Sequence, residues 1–515
     1  MRVWAILTVS LLAAANLSAQ AGTSSVDTTA EARRLRDAND FAGAAALMRS
    51  YVESHPDDPG SARFAALMAY WSKDQPTADA IYAGAIGRHP SDAELRLEYG
   101  RFLVETGKPS RARDVLAPLT ANRSTSNSAR QIARARTLLG TADYWRGDFT
   151  GARNEFRTAL ALDSSLADAR RQLLEIETAA APWVRVGTDL WDDDQPLRYA
   201  SFNAEGGWFV TPLTPIDVRA RSSVYDADSV SHAMLAAEAS VTSYFPAAHL
   251  DLAAGAGVVD RSFGESLDWT ARGSLGIRLP GTVTLQAKYA RSPYTNTVRS
   301  LDVGIMVQVL EANARFGKAV SWNGELGARH EIYPDDNSVS SGFGWILAPL
   351  ASGEKGALHI GYGFTAQSAA ESRFLPRADV SVRPGDPPTM IPGEYNPYYT
   401  PDNLRVHSAL ANASVRPTRR LRIDAGGRYA LSAREDAPVL YGVASPPSAT
   451  VERTFYERSF TPWSARGTMD WNATPAMRIS LGAEHGREAY YQFTTARVEL
   501  TYTFVPRVHE REDLH

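Results

Sequence analysis

Between Arg497 and Phe504 apolar and polar residues alternate without a break. Val498, Leu500, Tyr502 and Phe504 are apolar, and Arg497, Glu499, Thr501 and Thr503 between them are polar. Side chains of a strand point alternately to opposite faces, so this stretch predicts a strand with one greasy and one wet face. The same period of two recurs from Trp183 onward. Ile216, Val218, Ala220, Ser222 and Val224 fall on one face, and Asp217, Arg219, Arg221 and Ser223 on the other. Leu421, Ile423, Ala425, Tyr429 and Leu431 oppose Arg422, Asp424 and Arg428, and the stretch from Met477 to Ala483 repeats the pattern with Arg478 and Glu484 on the wet face. About 16 strands fit between Trp183 and Phe504, at roughly 20 residues per strand and connection. An apolar-out, polar-in face repeated this often, with no helical stretch between, predicts a transmembrane antiparallel β-barrel over 183–505. A polar tail follows at 506–515.

The connections carry an independent signal. Short turns are expected at Thr211–Thr214, Phe245–His249, Leu279–Thr282, Pro349–Gly356, Arg416–Arg419 and Asn472–Ala476. The alternate set is longer and more polar, and includes Gln367–Asp402 and Arg434–Ser459. Long connections at one rim and short turns at the other are the asymmetry of a membrane barrel. Aromatics gather at strand ends, at Trp208-Phe209, Tyr244-Phe245, Trp463, Trp471 and Tyr490-Tyr491. Tyr and Trp favour the lipid interface, although sheet cores use the same residues. A soluble β-sandwich is the competing fold.

Before Trp183 the apolar period is helical, and it is organised by a repeat. Phe41, Ala44 and Pro56 open the series; Ala78 and Pro90 follow Ala44 and Pro56 at 34 residues, and Ala112 adds a further step of 34. Phe149 and Ala152 supply a fourth copy, 40 residues after Ala112, the excess matching a polar insertion at Asn122–Ser128. Small Ala lets two helices approach, large residues around it form one apolar face, and Pro stops the second helix. This spacing resembles the tetratricopeptide repeat (TPR), a helix-turn-helix unit. About four repeats span 30–163. Leu166–Ala180 is expected to close the stack, giving a TPR-like α-solenoid over 30–181. Such a stack offers a curved surface to other proteins rather than a catalytic site. Its 21 Lys and Arg against 20 Asp and Glu give no charge preference.

Composition narrows the compartment and the partners. A chain of 515 residues predicts more than one domain. A net charge of −4 argues against a nucleic-acid partner. The absence of cysteine excludes disulfides, thiolate metal sites and a lipid anchor on Cys. Arg2, the apolar run Val3–Leu17 and the small residues around Ala19-Gln20-Ala21 resemble a secretory signal peptide covering 1–21. The run is too short to span a bilayer as an anchor.

No motif in the sequence makes a convincing active site, and an enzyme, a cofactor or a metal is not expected. His330-Glu331 lacks a second His at helical spacing. Asp192-Asp193-Asp194 suits a weak Ca²⁺ site or, more simply, an acidic surface loop. Gly255, Gly257, Gly426 and Gly427 do not lead into a helix, so they make no phosphate cradle. The wet face is more informative. Arg219, Arg221, Arg422, Arg428, Arg478 and Arg497, with Glu325, Glu484 and Glu499, are expected in the lumen. Mixed charges there suit either a hydrated channel or inward salt bridges that fill a closed barrel. The connection Gln367–Asp402 is the expected plug, gate or lid. Within it Asn396, Pro397, Tyr398, Tyr399 and Pro401 are candidate contacts to a polymer, sugar rings stacking well on aromatics; a rigid packed loop is the plainer alternative.

A secreted chain with N-terminal TPRs and a C-terminal barrel of about 16 strands resembles the exopolysaccharide export proteins of Gram-negative bacteria. These include the outer-membrane subunit of cellulose synthase and the poly-N-acetylglucosamine export porin. Tyr398-Tyr399-Thr400-Pro401 is similar to the Tyr-Phe-Ser-Pro segment that precedes a late strand in cellulose-exporter barrels, with Tyr for Phe and Thr for Ser. The terminal aromatic Phe504 resembles the barrel sorting signal, here followed by 11 residues. Those exporters carry many more repeats. The resemblance implies an outer-membrane location in contact with lipid, repeats in the periplasm bound to synthesis or export proteins, and polysaccharide leaving through the barrel. Two other readings stay open: a solute porin, and a closed barrel that anchors a TPR scaffold.

Overall fold

The computed structural model describes residues 25–121, 128–227, 230–262, 267–317, 321–377, 389–445 and 448–505. The expected signal peptide at 1–21, the tail at 506–515, the insertion at 122–127 and part of the long connection, 378–388, lie outside the described residues. The chain divides into two compact units, Met1–Leu173 and Leu174–His515.

The first unit is helical. Four antiparallel pairs follow one another: α1 (Ser25–Asp37) with α2 (Phe41–Ser54), α3 (Pro59–Trp71) with α4 (Gln75–Arg88), α5 (Ala93–Glu105) with α6 (Pro109–Ala121), and α7 (Ala129–Arg146) with α8 (Phe149–Leu162). A ninth helix, α9 (Ala167–Ala179), comes after them. Ala44, Ala78, Ala112 and Ala152 occupy matching places in the second helix of each pair, and all four are fully buried. The Asp of each Asp-Phe dipeptide is a helix cap: Asp40 accepts from Gly43 N–H and Asp148 from Gly151 N–H, each at 2.8 Å. The first helices carry a matching series of small residues. Ala32, Ala66, Gly100 and Gly140 follow the spacing of the alanines and are buried at the helix crossing. A Cβ on Gly140 would stand 2.6 Å from the Phe156 ring, and one on Gly100 2.5 Å from Leu116. Gly140→Leu is therefore expected to destabilise the solenoid. Helix propensity favours a non-glycine residue by about 1 kcal/mol. Overpacking costs about 1–3 kcal/mol and wins because Phe156 is itself fully buried. A lowered urea midpoint of the far-UV helical signal checks this.

The second unit is a closed barrel. Its strands begin with β1 (Trp183–Asp193), β2 (Leu197–Thr211), β3 (Thr214–Ala227), β4 (Val230–Phe245), β5 (Leu250–Arg261), β6 (Leu267–Arg278) and β7 (Thr284–Pro293). A one-and-a-half-turn helix, α10 (Val298–Val303), precedes β8 (Met306–Gly317), β9 (Asn323–Ile332), β10 (Ser338–Gly353) and β11 (Gly356–Ala369). Three short strands lie in the long connection: β12 (Phe374–Pro376), β13 (Thr389–Ile391) and β14 (Gly393–Tyr395). Then come β15 (Leu404–Thr418), β16 (Leu421–Ser445), β17 (Ser448–Phe460), β18 (Trp463–Asn472), β19 (Met477–Arg487) and β20 (Gln492–Thr503). Eighteen strands form one sheet. Sixteen of them make the ring, which closes where β1 pairs antiparallel with β20, from Trp183↔Thr503 to Asp193↔Phe493. The remaining two, β13 and β17, pair with the distal half of β16. Closure leaves no strand edge in the ring, so its backbone groups are satisfied without water. Among the described residues no helix is long and apolar enough to cross a membrane; the strands do the spanning.

The outward face is apolar and exposed. Val498, Leu500, Tyr502 and Phe504 are 40–53% exposed, and Val218, Val224, Ile423, Tyr429 and Leu431 stand out in the same way. Both ends of the barrel, Trp183 and Thr503, sit at one rim. Turns at that near rim are short, as at Pro212-Leu213 and Arg419-Arg420. The Pro349–Gly356 turn is tighter than expected, because β10 and β11 pair down to Gly353↔Gly356. Arg434–Ser459 is not a loop: β16 continues past the ring and pairs with β17 from Ala433↔Phe460 to Ser445↔Ser448. Pro438 sits opposite Phe455 in this extension beyond the ring, where a residue without an N–H is tolerated at a strand edge. Trp208, Phe245 and Trp471 face outward, 44–46% exposed. Tyr490 and Tyr491 instead turn into the mouth, where the Tyr490 hydroxyl bonds Glu435 and Tyr491 lies against Trp191 and Phe493.

Candidate functional site

Two connections at the far rim fold back into the barrel. The first, Tyr294–Ile305, carries α10. Leu301 and Val298 of α10 pack with Leu197, Tyr225, Met234 and Val259, which face inward from β2, β3, β4 and β5. Thr297 caps the helix at Ser300 N–H, 3.1 Å, and Arg261 ties its end by donating to the Gly304 carbonyl at 2.7 Å. The second is the segment 393–402. Tyr398 is 1% exposed. Its ring stacks on Tyr333 at 3.6 Å and 8°, and its hydroxyl donates to Asp335 at 2.6 Å. The Tyr399 hydroxyl donates to Glu435 of β16 at 2.5 Å. Tyr490, from the β19–β20 turn, donates to the other oxygen of Glu435 at 2.5 Å, and Arg458 of β17 completes that carboxylate at 2.5 Å. The two connections meet where Thr297 donates to the Pro397 carbonyl at 2.6 Å and Arg299 pairs with Glu394 at 3.2 Å. Together they form a plug that crosses the mouth from the β2–β5 wall to the β16 wall.

This placement corrects one expectation from sequence. Tyr398 has both its ring and its hydroxyl committed, so it anchors the plug and offers no free face to a polymer. Asn396, whose N–H donates to the Arg373 carbonyl at 3.0 Å, and Pro401, whose carbonyl accepts from Ala369 N–H at 2.7 Å, hold the same segment through backbone bonds. Burial alone would raise Asp335, but the Tyr398 hydroxyl and the Arg373 guanidinium outweigh it and hold this carboxyl below the usual range.

Beneath the plug lies a chamber of about 680 Å³, roofed by Pro293–Asn296 and Tyr491 and walled by β1–β4, β6, β7 and β20. Arg219, Arg221, Arg497 and Glu499 line it. Glu205 receives Arg185 at 3.2 Å and Arg219 at 2.9 Å. Asp189 receives Arg497 at 2.5 Å and Asn203 at 2.7 Å, with Arg221 at 3.9 Å. Arg272 bridges Asp217 at 3.1 Å and Glu238 at 2.5 Å, and Arg291 pairs with Asp268 at 2.8 Å. Trp191, Tyr199 and Phe493 form a parallel ladder, Trp191 lying 6.0 Å from Tyr199 and 4.9 Å from Phe493. Arg422 and Arg428 of β16 and Arg478 of β19 stand on the inner face of the strands that continue the ring beyond β20. There Arg422 pairs with Asp424 at 2.8 Å, Arg428 with Glu488, and Arg478 donates to Asn472 at 3.3 Å. On a third stretch of wall, Glu325 takes Arg315 at 3.1 Å.

The weaker motifs resolve into local structure. His330 bonds Ser340 while Glu331 accepts from Tyr333, on opposite faces of β9. Asp193 accepts the Gln195 and Leu197 N–H groups, and Asp194 the Gln492 N–H, so the acidic triplet organises the β1–β2 connection. Among the described residues no three His, Cys, Asp or Glu side chains gather as a metal site would need.

No protein-family model and no curated protein matches the chain. Among solved structures it is similar to a "Bacterial polysaccharide outer membrane secretin", at 9% identity and a TM-score of 0.45, covering 63% of this chain and 99% of that one. It is similar to CdiB from Acinetobacter baumannii at 11% identity and 0.34, covering 62% and 60%. A third similarity is to PilW, titled a widely conserved type IV pilus biogenesis factor, at 19% identity and 0.26, covering 30% and 70%. The fold assignment rests on the strand pairings and repeat packing given above.

Proposed function

We propose that the chain is an outer-membrane export protein for an exopolysaccharide, in which the barrel is the exit path and the plug closes its far mouth at rest. One observation carries this reading: the barrel interior is not filled by side chains but holds a polar chamber beneath a stopper built from two connections. A barrel needed only as an anchor has no use for such a space. The repeats then face the periplasm and bind proteins that make or deliver the polymer. Trp71 and Trp145, 45% and 68% exposed at the ends of α3 and α7, suit that contact. The conduit is passive, without catalysis or cofactor.

A strain lacking the gene tests this. Polymer is expected to fall outside the cell and accumulate in the periplasm, with recovery on complementation by the full chain. Unchanged pools would remove the export reading. The second reading, a closed barrel anchoring a TPR scaffold, draws on the pairing of the chamber arginines with carboxylates, since paired charges also fill a barrel that conducts nothing.

A further inference from the structure

The arrangement of charge in the chamber identifies the kind of polymer it suits; this rests on the export reading. Six arginines line the chamber: Arg185, Arg219, Arg221, Arg272, Arg291 and Arg497. Each is paired with a carboxylate. Arg291 and Asp268 are about equally covered, at 16% and 14%, but in the pairs of the other five arginines the two members are not equally accessible. The side chains of Arg185, Arg219, Arg221, Arg272 and Arg497 are 36–60% exposed, whereas Glu205 is 10%, Asp189 14%, Asp217 18% and Glu238 22%. At these five arginines the guanidinium therefore faces the space and its paired carboxylate stands behind it; Glu499 is a further carboxylate on the chamber wall.

A guanidinium has five N–H donors, and each pair here consumes one or two. The wall thus presents many donors with their charge already cancelled. Such a surface exerts little long-range pull on a polyanion, because attraction scales with uncompensated charge. A polyanion could bind strongly only by displacing the resident carboxylates, which would leave them buried and unpaired. A polycation meets guanidinium groups first and is repelled. Hydroxyl and ring oxygens accept from the outward N–H groups without breaking a pair. Many weak, equivalent contacts are also what passage requires, since a ligand must leave as readily as it enters. We propose that the chamber binds an uncharged, hydroxyl-rich glycan segment, and that Glu205 and Asp189 enforce this by masking the arginines in front of them.

The test uses the purified full chain in detergent micelles, titrated calorimetrically with a neutral hexasaccharide, a hexauronate and a glucosamine hexamer, at low and high salt. Wild type is expected to bind the neutral hexamer with little salt dependence and the charged ones more weakly. Glu205→Gln unmasks Arg185 and Arg219, and is expected to tighten hexauronate binding at least about tenfold, in a salt-sensitive way. Asp189→Asn, which frees Arg497, should act in the same direction and guards against misfolding of the first variant. Tighter hexauronate binding by wild type, binding of none of the three, or an unchanged preference in both variants would overturn the proposal. None of those results touches the export reading, which stands or falls on the polymer pools of the deletion strain.

Discussion

Asp335→Ala combined with Glu435→Ala is expected to turn a barrel that is silent in a planar bilayer into a conducting pore. The two carboxylates are the wall-side anchors of the plug segment. Asp335 accepts the Tyr398 hydroxyl and Glu435 the Tyr399 hydroxyl, so two adjacent residues of the segment are tied to different walls. A hydrogen bond to a charged group contributes about 1.5–3 kcal/mol. Losing both shifts the closed–open balance by about 3–6 kcal/mol, roughly two to four orders of magnitude in population. The closed state suffers further, because Arg458, now facing Glu435 at 2.5 Å, would be left without it in a side chain only 23% exposed. What remains is the α10 side of the plug with its Thr297–Pro397 bond and Arg299–Glu394 pair, the backbone bonds of Asn396 and Pro401, and the Tyr333–Tyr398 stack. Tyr399→Phe removes one tie and leaves Glu435 with Tyr490 and Arg458, so it should act in the same direction and less strongly. Conductance is read only from protein that keeps its heat-modifiable mobility on gels. Folded variants that stay silent would mean that packing, not the carboxylates, holds the mouth, and would favour the closed anchor.

The pH dependence of the Tyr398 tie has a definite sign. Asp335 has its carboxyl lowered in the fold. A lowered carboxyl stabilises the folded arrangement above its ordinary pKa, and that contribution is lost only as pH falls through the lowered value. Mild acidification, down to about pH 5, is therefore expected to leave the Tyr398 tie intact. Single-channel records at neutral and mildly acidic pH check it with Glu435→Ala as background, where Asp335 is the remaining anchor.

The parts of this molecule that were legible are the parts governed by a period. Alternation over 216–224, 421–431 and 497–504 fixed which side chains meet lipid, because lipid and lumen faces differ in kind at every second residue. The 34-residue spacing of Ala44, Ala78 and Ala112 fixed the helix pairs, because each pair buries the same small residue. Alternation assigns Arg219 and Glu205 to the same face but says nothing of their being opposite each other. That follows from the β2–β3 register, Glu205↔Arg219, which a two-residue slip would change without altering either pattern. The plug was legible only in part. The long connection stood out by length and composition, yet α10 spans six residues, too few for a helical period to register. Glu435 lies 36 residues from Tyr399 and 55 from Tyr490, so its role exists only in the folded mouth. The small residues Ala32, Ala66, Gly100 and Gly140 obey the same spacing of 34, 34 and 40 residues and are legible from it.

Two neighbouring substitutions separate the faces of β20 most sharply. Val498 is 53% exposed on the outward face near the middle of the strand, and Glu499 lines the chamber. Val498→Arg places a guanidinium among lipid chains close to the bilayer midplane, at a cost of about 2–4 kcal/mol. Snorkelling relieves little of this, since the side chain must travel half the strand to reach either interface. Glu499→Arg changes the charge by two units one residue away but puts it into a hydrated space, so its effect on stability is expected to stay below about 1 kcal/mol. Urea titration of the full chain folded into vesicles measures both. A large loss for the first and a small one for the second is the outcome a transmembrane barrel in this register requires. Equal and small effects would mean that the outward face meets water, and equal and large effects that the interior is packed solid around Glu499.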